Sequence, residues 1–353
     1  MTDASSLGNP FTQQRDLLAG KAIVVFPDRG VIELSGSDRL GYLDSLVSQD
    51  VSRLVPGISA EALLLDPHGR VERAMRVVDD GQSTWLLVDA EQAEPLAAFL
   101  DRMTFSKDAE ARNASAEFYT VGFFASGSVE SAVEAVRANP HGVALVWRDP
   151  WAAVVQGGWQ YAEGAEHPAG QWNYVEALIP ADRMGQLDEL QHASPDAWDA
   201  LRIAAWRPSL ATEVDAHSLP HEVDWLRSAV HLSKGCYRGQ ETVAKVHNLG
   251  HPPRRLVMLH LDGTTNELPL PGASVTFEGT EVGHVTVAGR HFEDGPIALA
   301  IVKRSVPADV TLTVDAPSGV QPANQVIIVP TDAGRTVDVP RMPKLGRVSR
   351  TDD

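Results

Sequence analysis

The only cysteine of this 353-residue chain lies in the segment KGCYRGQET, residues 234–242. A thiolate is the reactive form of cysteine, and cationic neighbours or a helix N-terminus favour it. Lys234 stands two residues before Cys236, and Arg238 stands two residues after it. Apolar residues at helical spacing follow from Gly239 on, so free N–H groups would point back toward the turn. The segment therefore predicts a functional thiol, against the alternative that a lone cysteine is a small apolar filler.

Other patterns that could carry chemistry are weaker. Two pairs of histidines have the four-residue spacing of zinc ligands on one helix face: His217/His221 and His247/His251. A proline interrupts the first pair and a glycine the second, and no cysteine ligand lies nearby. We therefore predict no metal site. The sequence also lacks a glycine-rich phosphate loop and a serine nucleophile elbow.

Composition and charge restrict the class of protein. The chain has 47 acidic and 30 basic residues, a formal net charge of -17. Strong non-specific nucleic-acid binding needs a Lys/Arg surface, so we expect no direct nucleic-acid partner. No apolar run approaches the roughly 18 residues of a membrane span, and the first residues do not resemble a signal peptide. We therefore expect no membrane partner. A single cysteine cannot form an internal disulfide, so we also expect a cytoplasmic protein.

The elements that would position the thiol begin with an α+β set. Residues 1 to about 20 read as loosely ordered, and strands are predicted at 21–26 and 30–36. A helix from Ser37, three further strands and a helix over 91–103 complete the set. Strand–helix–strand–strand–helix order is typical of a split βαβ unit.

A second set of similar rhythm extends from about 116 to 190. It includes predicted strands around 143–147, 151–156 and 173–179, and a helix at 182–192. A helix from Ser194 to about 207 closes it. Because this order repeats the first, the sequence predicts two α+β units.

The last third of the chain differs. From about residue 252, six short strand segments are separated by Gly, Pro or Asp without a helix pattern, which predicts a small antiparallel barrel. The predicted division is a ligand-binding region at 20–250, made of α+β units at about 20–115 and 116–250, then a barrel at 251–330 and a flexible tail at 331–353.

A family resemblance joins these segments. Residues 219–259 contain every fixed position of a K-G-C-[FY]-x-G-Q-E run: Lys234, Gly235, Cys236, Tyr237, Gly239, Gln240 and Glu241. This segment resembles the signature of the YgfZ-like folate-binding proteins. They belong to the superfamily of the glycine-cleavage T-protein, an aminomethyltransferase, and include a mitochondrial iron–sulfur assembly factor. LSGSDRLGYLDSLVSQDV, ALLLDPHGRV and VGHVTVAGRHFEDGPIALAIVKR resemble further superfamily segments, so the resemblance covers about residues 20–330.

The resemblance implies a fold and a function. The fold would be an α+β three-part ring, with two ferredoxin-like units and a C-terminal antiparallel barrel around a folate-binding channel. The ligand would be tetrahydrofolate or a derivative. The function would be iron–sulfur cluster assembly or repair, with iron–sulfur proteins or assembly factors as partners and an indirect effect on tRNA modification. Cys236 would lie at the mouth of the cleft, Lys234 and Arg238 would favour its thiolate, and Gln240 and Glu241 would order the turn or cap the next helix.

The sequence also departs from the T-protein pattern. The T-protein has an aspartate that assists aminomethyl transfer, where this chain reads Glu72-Arg73-Ala74. The superfamily segment LRxEAG supplies a pterin-binding glutamate, where LRIAAWRP has Ala204.

The resemblance still suggests Glu222, Asp89 and Arg202 as folate-binding residues. Two alternatives stay open. One is a folate-dependent one-carbon transferase of the aminomethyl- or methyl-transferring type, and the other is a non-catalytic folate-binding scaffold in which Cys236 is structural.

Overall fold

The computed structural model describes residues 8–162, 167–263 and 267–337. Seven α-helices occur in these ranges: α1 Pro10–Leu18, α2 Arg39–Leu46, α3 Ala90–Arg102, α4 Glu130–Val136, α5 Pro195–Ala204, α6 Leu210–Glu213 and α7 Gln240–Leu249. Sixteen strands occur there: β1 Ala22–Phe26, β2 Arg29–Ser35, β3 Ser59–Leu65, β4 Val71–Asp79, β5 Ser83–Asp89, β6 Glu110–Asn113, β7 Phe118–Phe124, β8 Val146–Arg148, β9 Tyr174–Pro180, β10 Gln191–Ala193, β11 Arg254–Leu261, β12 Ser274–Phe277, β13 Thr280–His291, β14 Gly295–Lys303, β15 Thr311–Ala316 and β16 Gly319–Ile327.

The first sheet has the strand order β3-β4-β5-β2-β6, and its neighbours are antiparallel. Helix α3 covers it with one apolar face, because Ala93, Leu96, Ala97 and Leu100 recur at helical spacing and are all buried. Asp89 ends β5 directly before this helix. The sheet therefore fixes the position of one predicted ligand-binding side chain.

The second sheet has the order β10-β1-β7-β9-β8. Its strand β1 was predicted to belong to the first unit, and this assignment was wrong. β1 pairs in parallel with β10 and antiparallel with β7, and the chain changes sheet between Phe26 and Arg29. The apolar pattern of AIVVF predicts a buried strand, but it carries no information about which sheet the strand joins.

The six predicted C-terminal strands form a closed barrel in the order β11-β14-β13-β12-β15-β16, with β16 returning to β11. In β11, Val257 and Leu259 fill the barrel, while Leu256 and Met258 pack into the large core shared with the rest of the chain. Side chains of a strand alternate between its two faces, so β11 joins the barrel to the α+β units. The predicted fold class, two α+β units and a barrel, is confirmed.

Several local predictions were wrong. Residues 10–18 form a helix, because the Asn9 side chain accepts from Phe11 N at 2.8 Å and Pro10 occupies the first position. Residues 151–156 form no strand, and a single 3₁₀ turn covers 150–152. The predicted helix at 182–192 is a 3₁₀ segment over 181–187 followed by β10. Short apolar runs do not distinguish a strand from a tight turn.

The predicted flexible tail begins with an ordered stretch. Thr336 N donates to His247 O at 3.0 Å and Val337 N donates to Asn248 O at 3.2 Å, at the end of α7. The rest of the predicted tail, 338–353, lies outside the described residues. Within the described ranges, no helix has both the length and the apolar character that crossing a membrane requires. The proposed domain boundaries stay a prediction.

Candidate functional site

The cysteine lies on a turn directly before helix α7. Cys236 is exposed, and the helix begins at Gln240. Gly239 precedes the helix with a φ of 83°, a left-handed conformation that favours glycine. A Cβ at this position would lie 2.6 Å from Asp66 O. The glycine is therefore required by both backbone conformation and close packing.

Residues 67–70, the PHGR turn between β3 and β4 of the first sheet, pack against this glycine. A Cβ on Gly239 would lie 2.9 Å from Gly69 Cα, and a Cβ on Gly69 would lie 2.8 Å from Thr242 Cβ. Gly69 also has a positive φ, 77°. Two sequence motifs that are far apart in the chain therefore form one structure, in which their backbones touch.

The ammonium of Lys234 contacts four oxygen acceptors of the protein. Its Nζ donates to Asp44 O, Asp44 Oδ1, Val47 O and Gln49 O at 2.7–2.9 Å. These acceptors lie at the C-terminal end of α2, where a cation is favoured. Burial lowers the pKa of Lys234, and Asp44 partly offsets this effect. The ammonium therefore anchors the turn to α2, and its role beside the Cys236 thiol stays a prediction.

The remaining polar side chains of the turn also contact neighbouring parts of the protein. Arg238 Nη1 donates to Glu72 Oε2 at 3.0 Å, and both side chains are partly exposed. Gln240 Nε2 donates to Lys234 O at 3.3 Å, which orders the turn as predicted. Glu241 lies in the first turn of α7, where a carboxylate complements the helix dipole. Tyr237 is buried below the Lys234 ammonium, and burial raises its pKa.

An open cleft of about 630 Å³ lies between the two α+β units. Its walls come from the β1–β2 connection, the start of α3, helix α5 and the segment 209–212. A narrow recess of about 20 Å³ shares Asp89 and Ser209 with it. A second opening, of about 500 Å³, shares Glu91 and Ala211 with the cleft and includes Glu72. The Arg238–Glu72 pair therefore connects the cysteine turn to the wall of a cavity that adjoins the cleft.

The structure brings two of the three predicted ligand-binding residues together. Asp89 lines both the cleft and the recess, and its Oδ1 accepts from Arg29 Nη1 at 2.8 Å. Arg202 lines the cleft, but its three nitrogens already donate to Asp199, Glu213 and Thr212. Arg202 therefore braces the wall, and Asp89 is the better placed of the two to contact a ligand.

Glu222 does not line the cleft, so its predicted place there was wrong. Its Oε2 accepts from Arg254 Nη2 at 2.8 Å, at the start of barrel strand β11. Burial raises the pKa of Glu222, and Arg254 partly offsets this effect. Glu222 therefore couples the barrel to the segment that precedes the cysteine turn.

Sequence reasoning missed the buried charges around the recess. Glu61 Oε1 accepts from Arg207 Nη2 at 2.6 Å and from Trp225 Nε1 at 3.0 Å. Glu176, in β9, lies within 3.1 Å of Arg76 Nε. Each glutamate is a single acid among apolar residues of a strand, a pattern that signals a buried and paired carboxylate. That signal was available in the sequence.

Several known proteins are similar to this chain in sequence. No family model matches the chain. A tRNA-modifying protein YgfZ of Yersinia enterocolitica is 24% identical over 86% of this chain and 92% of its own length. The iron–sulfur cluster assembly factor IBA57 homolog of Mycosarcoma maydis is 25% identical over 67% of this chain. The chain is similar to proteins named YgfZ over most of its length.

Solved structures show the fold of the chain, and other relatives match it over shorter segments. The aminomethyltransferase T of the glycine cleavage system from Bartonella henselae has a TM-score of 0.70 with 15% identity, covering 94% of this chain and 92% of its own. The chain spans 57% of the fungal protein. A chloroplast protein of Arabidopsis thaliana, named as a transferase, is 32% identical over 31% of the chain and 24% of its own length.

Aromatic and charged side chains line the cleft and the recess. Phe26 and Trp198, whose ring centroids are 5.2 Å apart, give the cleft an aromatic wall. Asp89 supplies a carboxylate, and Arg207 supplies a buried donor in the recess. Ala204 ends α5 packed against the core and offers no carboxylate.

The histidine pairs do not form a ligand cluster. His221 and His247 instead both lie beside Tyr161, whose hydroxyl is 3.1 Å from His247 Nδ1. Burial lowers the pKa of His221 to about 3. In the part of the chain that the structure describes, no group of three or more His, Cys, Asp or Glu side chains has the geometry of a metal site.

Proposed function

We propose that this protein acts in iron–sulfur cluster assembly or repair, and supports tRNA modification indirectly through iron–sulfur enzymes. The observation that carries the proposal is the exposed Cys236 on a turn that is fixed at both ends. Lys234 fixes the turn to α2, and Gly239 fixes it to the PHGR turn. The names of the fungal and bacterial relatives support the same role.

The chemistry of the thiol suits this role. Cysteine thiolates are the usual protein ligands of cluster iron, and clusters are held by several of them. This chain has one cysteine, so the remaining ligands of any cluster in contact with Cys236 come from a partner protein or a small thiol. An exposed, rigidly placed sulfur is accessible to such a partner without a change in the turn.

The proposed ligand of the cleft is tetrahydrofolate or a derivative. The T-protein fold supports a ligand of this class. The chain's own contribution is an aromatic wall at Phe26 and Trp198, the Asp89 carboxylate held by Arg29, and the recess at Arg207. These groups would bind and orient a ligand. This role does not depend on a catalysed reaction.

A cysteine variant tests the proposed role in cells. We expect Cys236→Ser to lower the activity of cluster-dependent enzymes and the thiolation of tRNA to the level of cells without the protein, because oxygen is a poor ligand for cluster iron. Ser233→Ala, a change in the same exposed turn, is the matched control and keeps full activity. Wild-type enzyme activities with Cys236→Ser would contradict the proposed role.

Direct titration tests the ligand. We expect saturable binding of tetrahydrofolate, its 5-formyl form or its methylene form, measured by calorimetry, and tighter binding by Ala204→Glu, because the new carboxylate can make two hydrogen bonds to a pterin edge. Absence of binding to all three forms would contradict the proposed ligand.

The T-protein fold favours a second candidate function, a one-carbon transferase. Conversion of a methylamine donor and tetrahydrofolate to methylene-tetrahydrofolate would establish that candidate. Two features of the sequence argue against it. Ala204 stands where the resemblance places the superfamily's pterin-binding glutamate, and the stretch Glu72-Arg73-Ala74 lacks the aspartate that assists aminomethyl transfer in the T-protein.

A further inference from the structure

Two partly exposed arginines, Arg70 and Arg73, line the second opening beside the cleft. Arg70 forms hydrogen bonds through its backbone, whose N–H donates to Asp66 Oδ1 at 2.8 Å. Arg73 Nη1 donates to the backbone oxygen of Glu72 at 2.6 Å. Among the residues that the structure describes, neither guanidinium forms an ion pair with a carboxylate. The wall of this opening therefore has two accessible cations without a counter-charge.

Most of the carboxylates that line the same opening are already held by other groups. Glu72 and Asp215 each pair with an arginine from outside this wall, at 3.0 and 2.6 Å. Asp66 Oδ1 accepts from two backbone N–H groups, both at 2.8 Å. Glu91, at the border with the cleft, is the remaining acid. Two unpaired guanidinium groups against one unpaired carboxylate make this wall favourable for an anionic group.

The adjoining cleft has the opposite balance of charge. Asp28 and Glu91 line it without an ion-pair partner in the described part of the chain. Its two arginines, Arg29 and Arg202, have side chains that are 7% and 1% exposed, and both are paired with carboxylates. The cleft and the second opening meet at Glu91 and Ala211. A ligand that extends across this border therefore finds its anionic end favoured in the second opening and disfavoured in the cleft.

We propose that the second opening binds the glutamate carboxylates of the cleft's ligand, at Arg70 and Arg73. This inference rests on the proposed function for the class of ligand. A tetrahydrofolate combines an uncharged fused ring with a tail of γ-linked glutamates, and each glutamate adds a carboxylate, which guanidinium groups bind by charged hydrogen bonds. The ring lies in the cleft, of about 630 Å³, and the tail extends into the second opening, of about 500 Å³. The site therefore prefers ligands with several glutamates.

A series of tails tests this orientation with the unmodified full chain. Calorimetric titration compares tetrahydropteroate, which lacks the glutamate, with tetrahydrofolates that carry one and three glutamates. We expect the affinity to rise along the series by about tenfold in total, and the rise to shrink at high salt, because partly exposed ion pairs are screened. Equal affinities for all three ligands overturn the inference and leave the proposed ligand in place. No binding of any of them refutes the proposed ligand, and the inference fails with it.

A double variant tests whether these two arginines cause the difference. With Arg70→Gln and Arg73→Gln combined, the three ligands should bind equally, because the tail has lost both cations. Arg183→Gln combined with Arg290→Gln is the matched control, since it removes the same charge and neither residue lines the cleft or the second opening. A rise that persists in the first variant, or disappears in the control, overturns the assignment. Circular dichroism verifies the fold, and if the first variant fails to fold, the ligand series decides alone.

Discussion

Cys236 and its charged neighbours have separate roles in this molecule. Lys234 and Arg238 both have protein partners, at α2 and at Glu72. The cysteine remains exposed, with the first turn of α7 beginning four residues later. Lys234 and Arg238 therefore anchor the turn. The turn in its place keeps the Cys236 thiol exposed and fixed in position.

Asp224 is the buried carboxylate with the clearest consequence for pH. It is fully buried, and its Oδ1 accepts from Tyr161 N at 2.7 Å. Burial raises the pKa of Asp224 from 3.8 to about 7, although backbone hydrogen bonds and Arg227 offset part of the effect. The folded state therefore binds more protons than the unfolded state between these values, and stability falls as pH rises through this window.

We predict that Asp224→Asn removes this pH dependence. Relative to the wild type, the free energy of unfolding of the variant should improve by up to about 4 kcal/mol between pH 4 and pH 7, measured by urea denaturation at several pH values. His167, with a pKa lowered to about 4 by burial, acts in the opposite direction in both proteins, so the difference between them isolates Asp224. A constant difference across this range would show that Asp224 is ionised throughout.

At the scale of elements, two turns from distant parts of the sequence support each other. The PHGR turn joins β3 to β4, and the cysteine turn leads into α7. Their contact depends on Gly69 and Gly239, each with a positive φ. The position of α7, and with it the cysteine turn, is therefore set by the first sheet.

The two glycines that flank the cysteine provide a matched test. We predict that Gly239→Ala destabilises the protein by about 2 kcal/mol or more, because a left-handed backbone and a Cβ 2.6 Å from Asp66 O are both unfavourable. Gly235→Ala should cost less than about 1 kcal/mol, because nothing lies within 4 Å of its Cβ. Thermal unfolding compares the two variants. Equal destabilisation would contradict the proposed contact between the turns.

At the scale of the whole molecule, the barrel is joined to the α+β units by one face of β11 and by a buried ion pair. Leu256 and Met258 belong to the large shared core. Arg254, at the start of the same strand, bonds to both Asp215 and Glu222. These contacts place the barrel against the segment that leads to the cysteine turn.

Breaking the ion pair should weaken the whole molecule. We predict that Arg254→Ala lowers the free energy of unfolding by about 2–4 kcal/mol, because Glu222, at 1% exposure, is left buried without its cation. Arg148→Ala is the control, since Arg148 is 59% exposed and its ion pair with Glu130 spans 3.7 Å, and the change should cost less than about 1 kcal/mol. Urea unfolding measures both. Similar small losses would show that the pair contributes little.

Much of this architecture was predictable because it depends on local patterns. Short strand segments separated by Gly, Pro or Asp predicted the barrel strands, and Ser194 predicted the start of α5, whose cap it forms. The KGCYRGQE segment predicted a resemblance to YgfZ proteins, and a protein of that name matches 86% of the chain.

The sequence by itself determined the barrel strands, the start of α5 and the presence of a single thiol. The tertiary structure decided which sheet β1 joins, which acceptors hold Lys234, and where Glu222 lies. The reason is physical. Periodicity and backbone preference are properties of neighbouring residues, whereas the partner of a buried charge is selected by packing between segments far apart in the chain.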